Sequence, residues 1–115
     1  MERVCFQLQL KKDRIAEYRK RHAEVWPEML REIAASGRHN YSLFLNPDGL
    51  VIGYFETESL EASQAYLDAS EVAGRWEREA AAFFEDLGDV RPDQGTVMLP
   101  EIFNLDAQLL TASGN

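Results

Sequence analysis

Residues 13–41 read DRIAEYRKRHAEVWPEMLREIAASGRHNY, a stretch that begins as a helix and ends as a strand. Ile15, Tyr18, His22, Trp26, Met29 and Ile33 recur at steps of three and four, which places them on one face of a helix. Charged residues such as Arg14, Glu17, Arg19, Lys20, Glu24 and Glu28 supply the solvated side. The face that should be apolar carries a phenol, an imidazole and an indole on consecutive turns: Tyr18, His22 and Trp26. One polar-tipped ring in a core is ordinary; three in succession point to the wall of a pocket. Pro27 interrupts the pattern. It lacks a backbone donor and crowds the preceding turn, so a kink or a fresh helix start is expected between His22 and Pro27. The helix then resumes to Ala35, and Ser36-Gly37 is a C-terminal signal.

On the N-terminal side, Val4, Phe6, Leu8 and Leu10 alternate with Arg3, Cys5, Gln7 and Gln9, a strand over 3–10 with one apolar face. Asp13 is placed to cap the helix. On the C-terminal side, 39–46 (HNYSLFLN) form a second strand, with Tyr41, Leu43 and Leu45 opposite Asn40, Ser42 and Phe44. Asn46-Pro47-Asp48-Gly49 is a turn sequence, and 50–56 (LVIGYFE) complete a hairpin. Gly53, in mid-strand, implies a bulge or a close backbone approach. Thr57 or Ser59 can cap a second helical region from Leu60 to Leu87, compatible with a break near Ala69–Ser70 and ended by Gly88-Asp89. Arg91–Thr96 reads as a loop, 97–104 (VMLPEIFN) as a last strand with Pro100 marking an edge or bulge. Residues 105–115 read as a mobile tail.

The order strand–helix–strand–strand–helix–strand is ferredoxin-like, an α+β class: a four-stranded antiparallel sheet with its helical layers on one face. The expected domain spans 1–104, followed by a C-terminal tail at 105–115. The remaining sheet face, carrying Tyr41, Leu43 or their neighbours, is too apolar to stay wet. Pairing of two such sheets in a homodimer would cover it.

At 115 residues the chain is one small domain, 45% hydrophobic. A net charge of −8 and a pI near 4.7 argue against nucleic-acid or anionic-membrane partners and favour a neutral or cationic ligand. Cys5 is the single cysteine, so no intrachain disulfide forms and a reducing compartment fits. The N-terminus MERVCFQLQL is unlike a signal peptide, and no apolar run reaches membrane-spanning length; a cytoplasmic protein is the expectation.

Among candidate site residues, His22 can give or take a proton near neutral pH; an exposed, hydrogen-bonded helix histidine is the competing reading. Tyr18 and Tyr41 can anchor hydroxyl groups or serve as core tyrosines. Trp26 and Trp76 can stack on a sugar or aromatic ligand, or simply fill the core. Glu101 can act as base or hydroxyl binder, against a plain edge-strand glutamate. Metal binding is weak: His22 and His39 are far apart, Cys5 stands alone, and no zinc spacing is present. No phosphate loop or nucleophile elbow occurs.

The segment Tyr18-Arg19-Lys20-Arg21-His22-Ala23-Glu24-Val25-Trp26-Pro27-Glu28 resembles the Y-x-x-R-H-x-x-x-W-P-E signature of the L-rhamnose mutarotase family. His39-Asn40-Tyr41, Arg75-Trp76 and Glu101-Ile102-Phe103 fall where that family has H-N-Y, R-W and E-V-F. The resemblance covers about residues 1–104. It implies a cofactor-free enzyme that interconverts the α and β anomers of a 6-deoxy sugar, L-rhamnose or its relative L-fucose, on a dimeric α/β barrel. His22 would be the proton donor, and Tyr18, Tyr41 and Trp76 would contact the sugar. One position departs: where the family pattern has a second tryptophan, this chain has Glu77, which alters the sugar platform. The competing class is another dimeric α/β barrel protein, a small monooxygenase, a haem protein with His22 or His39 as axial ligand, or a ligand-sensing module.

Overall fold

The computed structural model describes residues 1–113 apart from Asp86 and Asp89. The chain runs β1 (Glu2–Gln9), α1 (Ile15–Ala23), α2 (Pro27–Ala35), β2 (Arg38–Leu45), β3 (Leu50–Thr57), α3 (Leu60–Ala69), α4 (Glu71–Ala80), β4 (Val97–Met98) and α5 (Leu105–Ser113). Short 3-10 turns lie at Lys12–Arg14, Ala81–Phe83 and Pro92–Gln94. The sheet order is β2-β3-β1-β4, antiparallel throughout. This is the expected ferredoxin-like α+β fold, with each of its two helical layers split in two.

Both splits have local causes. Pro27 sits at the first position of α2, where its missing N–H costs nothing, so the chain restarts there rather than bending one helix. Ser70 ends α3 and caps α4, its hydroxyl accepting from the Ala73 N–H at 3.1 Å. Ser59 does the same for α3 through the Ala62 N–H. Gly37, with φ of +89°, closes α2 in the left-handed conformation that favours glycine.

The helix-covered face of the sheet is built from alternate residues, Val4 and Phe6 of β1 and Val51, Gly53 and Phe55 of β3. Phe6 pairs in register with Gly53, and the tip of its ring lies over that glycine, the close approach expected of a strand glycine. In β2 the register slips between His39 and Ser42. Asn40 there has φ of +50°, a conformation asparagine tolerates. Arg38 pairs with Thr57 and Leu43 with Gly53, so the extra residue lets Arg38, Tyr41 and Leu43 all face the helices. Tyr41 packs on Phe6 and Phe55, at ring separations of 6.4 and 5.1 Å. The open face therefore carries Phe44, Ile52, Tyr54 and Val97: of the expected Tyr41, Leu43 or their neighbours, it is the neighbours of Leu43 that lie there.

Several boundaries differ from expectation. Asp13 falls inside the 3-10 turn and makes no side-chain cap; α1 begins at Ile15 without one. The second helical region ends at Ala80, well before Gly88-Asp89, of which Asp89 lies outside the described residues. Phe83 and Phe84 are both buried where the chain leaves the helix, and Phe84 turns to extended backbone and forms an isolated bridge with Leu10. The strand expected at 97–104 is two residues long. Leu99 still donates to the Cys5 carbonyl at 2.9 Å, but Pro100 has no N–H to continue the ladder. The expected mobile tail is helical from Leu105 to Ser113, capped by the Asn104 side chain accepting from the Ala107 N–H at 2.9 Å.

Candidate functional site

A cavity of about 90 Å³ lies between the helix-covered sheet face, α1, α4 and the Pro92 turn. An adjoining cleft of about 290 Å³ shares His22, Arg38, Tyr41, Trp76, Glu77 and Asp93 with it. The structure thus gathers Tyr18, His22, Tyr41, Trp76 and Glu77 around one space.

His22 sits in the last turn of α1. Its Nδ1 lies 3.0 Å from the Tyr18 carbonyl. A carbonyl can only accept, so Nδ1 carries the hydrogen and Nε2 keeps its lone pair. Burial lowers the imidazole's proton affinity below its ordinary value, and the neighbouring Arg21 charge lowers it further, against the Tyr18 hydrogen bond. The ring stacks at 4.2 Å on Tyr18 and stands edge-on to Trp76 at 5.5 Å. The site thus presents a neutral imidazole whose free nitrogen is Nε2.

The two phenols are kept un-ionised. Tyr18 is raised well above the ordinary tyrosine range, chiefly by burial. Tyr41 is pushed up to about 12 by burial, with Arg38 opposing. Both remain hydroxyl donors and acceptors at any physiological pH.

Trp76 is held from behind. The Arg21 guanidinium lies 3.5 Å over its ring and donates to its carbonyl at 2.8 Å. Trp26 stands edge-on to Trp76, at 5.0 Å and 87°. Trp26 lies just ahead of α2 and lines neither the cavity nor the cleft; it buttresses Trp76 instead of presenting a platform. Glu101 also stands apart. It forks onto Arg3, at 2.8 and 2.9 Å, on the exposed surface beyond the short β4. Neither of these two possible additional pocket residues lines the cavity or the cleft; the competing readings, core filler for Trp26 and a surface glutamate for Glu101, describe their places.

Glu77 follows Trp76 on the cavity wall. Burial and the nearby Asp93 carboxylate raise its carboxyl to about 7, against the Arg91 charge, the Asp93 backbone N–H and Arg21. Asp93 is itself fixed: Arg91 forks onto it at 3.0 and 2.8 Å, and Gln64 donates to it at 2.9 Å. Gln64 also accepts from Arg38 at 2.9 Å, while Arg38 Nε donates to Ser63 at 2.8 Å. Arg38 is only 8% exposed and lies 4.1 Å over the Phe55 ring.

Sequence reasoning missed the charged and amide lining residues Arg38, Gln64 and Asp93. Strict alternation puts residues 38 and 41 on opposite faces; only the slip at Asn40 joins them. A buried arginine beside His39-Asn40-Tyr41 and an Arg91-Pro92-Asp93 turn with opposite charges two apart were the available signals.

The lining therefore combines a proton acceptor, a carboxyl that ionises near neutrality, hydroxyls, a guanidinium and an indole over apolar rings. That set suits a polyhydroxylated ring, which needs many polar contacts and an apolar face. Among the described residues, no cluster of three or more His, Cys, Asp or Glu side chains could hold a metal ion.

Comparison with known proteins agrees. The L-rhamnose mutarotase family model matches residues 3–105. The chain is 36% identical over 100 residues to an L-rhamnose mutarotase of Tolumonas auensis, covering 86% of this chain and 91% of the relative. It is 34% identical over 107 residues to that of Bacillus subtilis, covering 92% and 100%. The crystal structure of an L-rhamnose mutarotase from Formosa agariphila superposes with a TM-score of 0.73 at 23% identity, over 91% of this chain and 99% of that one. A putative antibiotic biosynthesis monooxygenase from Nitrosomonas europaea shares the fold alone, with a TM-score of 0.58 at 12% identity over 90% and 100%. On the extent of the family match and the identity to these relatives, the chain belongs to the L-rhamnose mutarotase family.

Proposed function

We propose that this protein interconverts the α and β anomers of L-rhamnose by acid/base ring opening and closure. The observation that carries the reading is His22, held in one tautomer with Nε2 free, in a cavity lined by hydroxyls, an indole and a guanidinium. Ring opening requires the anomeric O–H proton to leave while the ring oxygen gains one, and a positioned imidazole accelerates such transfers by about 10²–10⁴. Tyr18, Tyr41 and Trp76 would hold the sugar, whose hydroxyls find donors and acceptors in the phenols and in Arg38.

A second sugar is favoured by one observation. Glu77 puts a carboxyl where the family pattern has an indole, and a carboxyl discriminates hydroxyl stereochemistry differently. L-Fucose is therefore the alternative substrate. Exchange NMR on both sugars tests the reading. The protein is expected to accelerate anomer exchange of at least one of them, and His22→Asn to remove that acceleration while the fold persists. No acceleration by the unaltered protein would overturn the assignment.

The homodimer belongs to the same reading. Phe44 and Val97 on the open sheet face are 62% and 55% exposed, and Ile102, which follows β4 in the sequence, is 94% exposed. A face-to-face sheet pair would bury the first two. Sedimentation equilibrium is expected to give twice the 13.1 kDa chain mass; a monomer alone would remove the dimer. A cytoplasmic site of action is supported by the reducing-compartment cysteine usage, and among the described residues no helix is long and apolar enough to cross a membrane.

A further inference from the structure

We infer that Glu77 is the second proton-transfer group of the anomer exchange, acting with His22 on the same bound sugar; this rests on the mutarotase reading above. The reaction needs an acid and a base together, and His22 supplies one of them. The other must be a group in the same cavity able to exchange a proton near neutrality.

The lining leaves one candidate. Tyr18 and Tyr41 hold their protons too tightly, both being raised by burial. Asp93 has its carboxylate occupied by Arg91 and Gln64. Arg38 is a permanent cation. Glu77 lines both the cavity and the cleft beside His22, and it adjoins Trp76, whose ring meets the imidazole edge-on.

The groups around Glu77 come from every element packed on it. From α1 come Tyr18, Arg21 and His22, with Arg21 lying 4.0 Å from Glu79 of α4. From β2 come Arg38 and Tyr41, and from the Pro92 turn come Arg91 and Asp93. Their balance, with burial foremost, leaves the carboxyl near half-protonated at neutral pH. His22 is displaced the other way and is mainly neutral. The two environments prepare opposite roles in ring opening, an acid at Glu77 and a base at His22; the donor role that the family resemblance implies for His22 then falls in ring closure, when it returns its proton.

The step balances without a co-reactant. His22 Nε2 takes the proton of the anomeric O1–H as O1 forms a double bond to C1. The C1–O5 bond breaks, its electron pair goes to O5, and O5 takes the Glu77 proton. The open-chain aldehyde then faces an imidazolium and a carboxylate. After rotation about C1–C2, the Glu77 carboxylate takes the O5–H proton and O5 attacks the other face of C1. The carbonyl oxygen recovers its proton from His22, and both groups end as they began.

The test is the pH dependence of enzyme-catalysed exchange of L-rhamnose and L-fucose, read by saturation-transfer NMR with the buffer rate subtracted. In the unaltered protein the rate is expected to fall on the alkaline side as Glu77 ionises, centred near the value of about 7. Glu77→Gln is expected to lose at least roughly 10²-fold in rate together with that alkaline limb, while Glu77→Asp retains the limb at reduced rate. A rate in the unaltered protein that stays level from about pH 6.5 to about pH 9 overturns the inference, and so does a Gln variant within roughly threefold of wild type with an unchanged profile. If the Gln variant lacks the native circular dichroism spectrum, the wild-type profile decides alone. Absence of any exchange by the unaltered protein would sink the mutarotase reading itself, whereas exchange with a flat alkaline limb sinks only the role of Glu77.

Discussion

Glu77→Gln also has a consequence for folding that can be measured without any sugar. The folded protein holds the Glu77 proton up to about 7, whereas the ordinary value is 4.5. The folded state thus binds more protons than the unfolded chain between these two pH values. The stability tied to protonated Glu77 is fully present below about 4.5 and is lost as pH rises through about 7. The gap, at about 1.36 kcal/mol per pH unit, sets a ceiling of about 3 kcal/mol. Partial exposure and interaction with Asp93 reduce this, so about 1–3 kcal/mol is expected. Glutamine cannot ionise and does not suffer the loss. Urea unfolding of both proteins at about pH 4.5, 6 and 8, the lower limit, the middle of the window and a point above it, should show the Gln variant gaining on wild type as pH rises. The difference between the proteins is the readout, because Asp68 works in the opposite sense. Hydrogen bonds from Gln64 and Gln94 lower its proton affinity, so its contribution is present at high pH and lost in acid in both proteins alike. A difference independent of pH, or one that shrinks toward pH 8, would refute the account of a desolvated Glu77.

Gly53→Ala would set a methyl 2.5 Å from Cε1 and 2.7 Å from Cε2 of Phe6, whose ring is confined by Tyr41 and Phe55. A loss of about 1–3 kcal/mol or more is expected in chemical denaturation. Ser70→Ala removes the cap that starts α4 and should cost about 1 kcal/mol, read as a lowered urea midpoint. Glu101→Gln breaks an exposed pair with Arg3 and should change stability by less than about 1 kcal/mol at moderate salt.

The strand and helix order was legible because alternation in β1 and β3 and the capping serines are local signals, confined to a few residues each. Tyr18 and His22 were legible as pocket residues because four positions make about one helical turn, and α1 is regular across both. Trp26 was left between pocket wall and core filler for a related reason, and it packs on the core around Trp76. The three-and-four spacing runs through Pro27, but the restart of the helix there rotates Trp26 out of the stripe and onto Trp76. Arg38 and Tyr41 illustrate a different limit. A single left-handed residue, Asn40, reverses the alternation, and no period-two pattern can report such a slip. Asp93 and Gln64 come together from a turn and from α3, 29 residues apart in sequence, through tertiary packing alone. Leu105–Ser113 reads as a tail by its position, yet its leucines and alanines favour a helix once Asn104 caps it.

The paired indoles have a spectroscopic consequence. Trp26 and Trp76 are the chain's two tryptophans, and they meet edge-to-face at 5.0 Å behind the cavity. All indole emission from the protein therefore originates at this one location. The transition dipoles are close enough to couple, which should leave a signature in near-ultraviolet circular dichroism. The imidazole of His22 stands 5.5 Å from one of the rings. An imidazolium quenches indole fluorescence more strongly than a neutral ring, so the emission should dim as pH falls through the histidine's titration. It should also respond when a sugar displaces water beside Trp76, giving a label-free optical readout of occupancy with no probe attached.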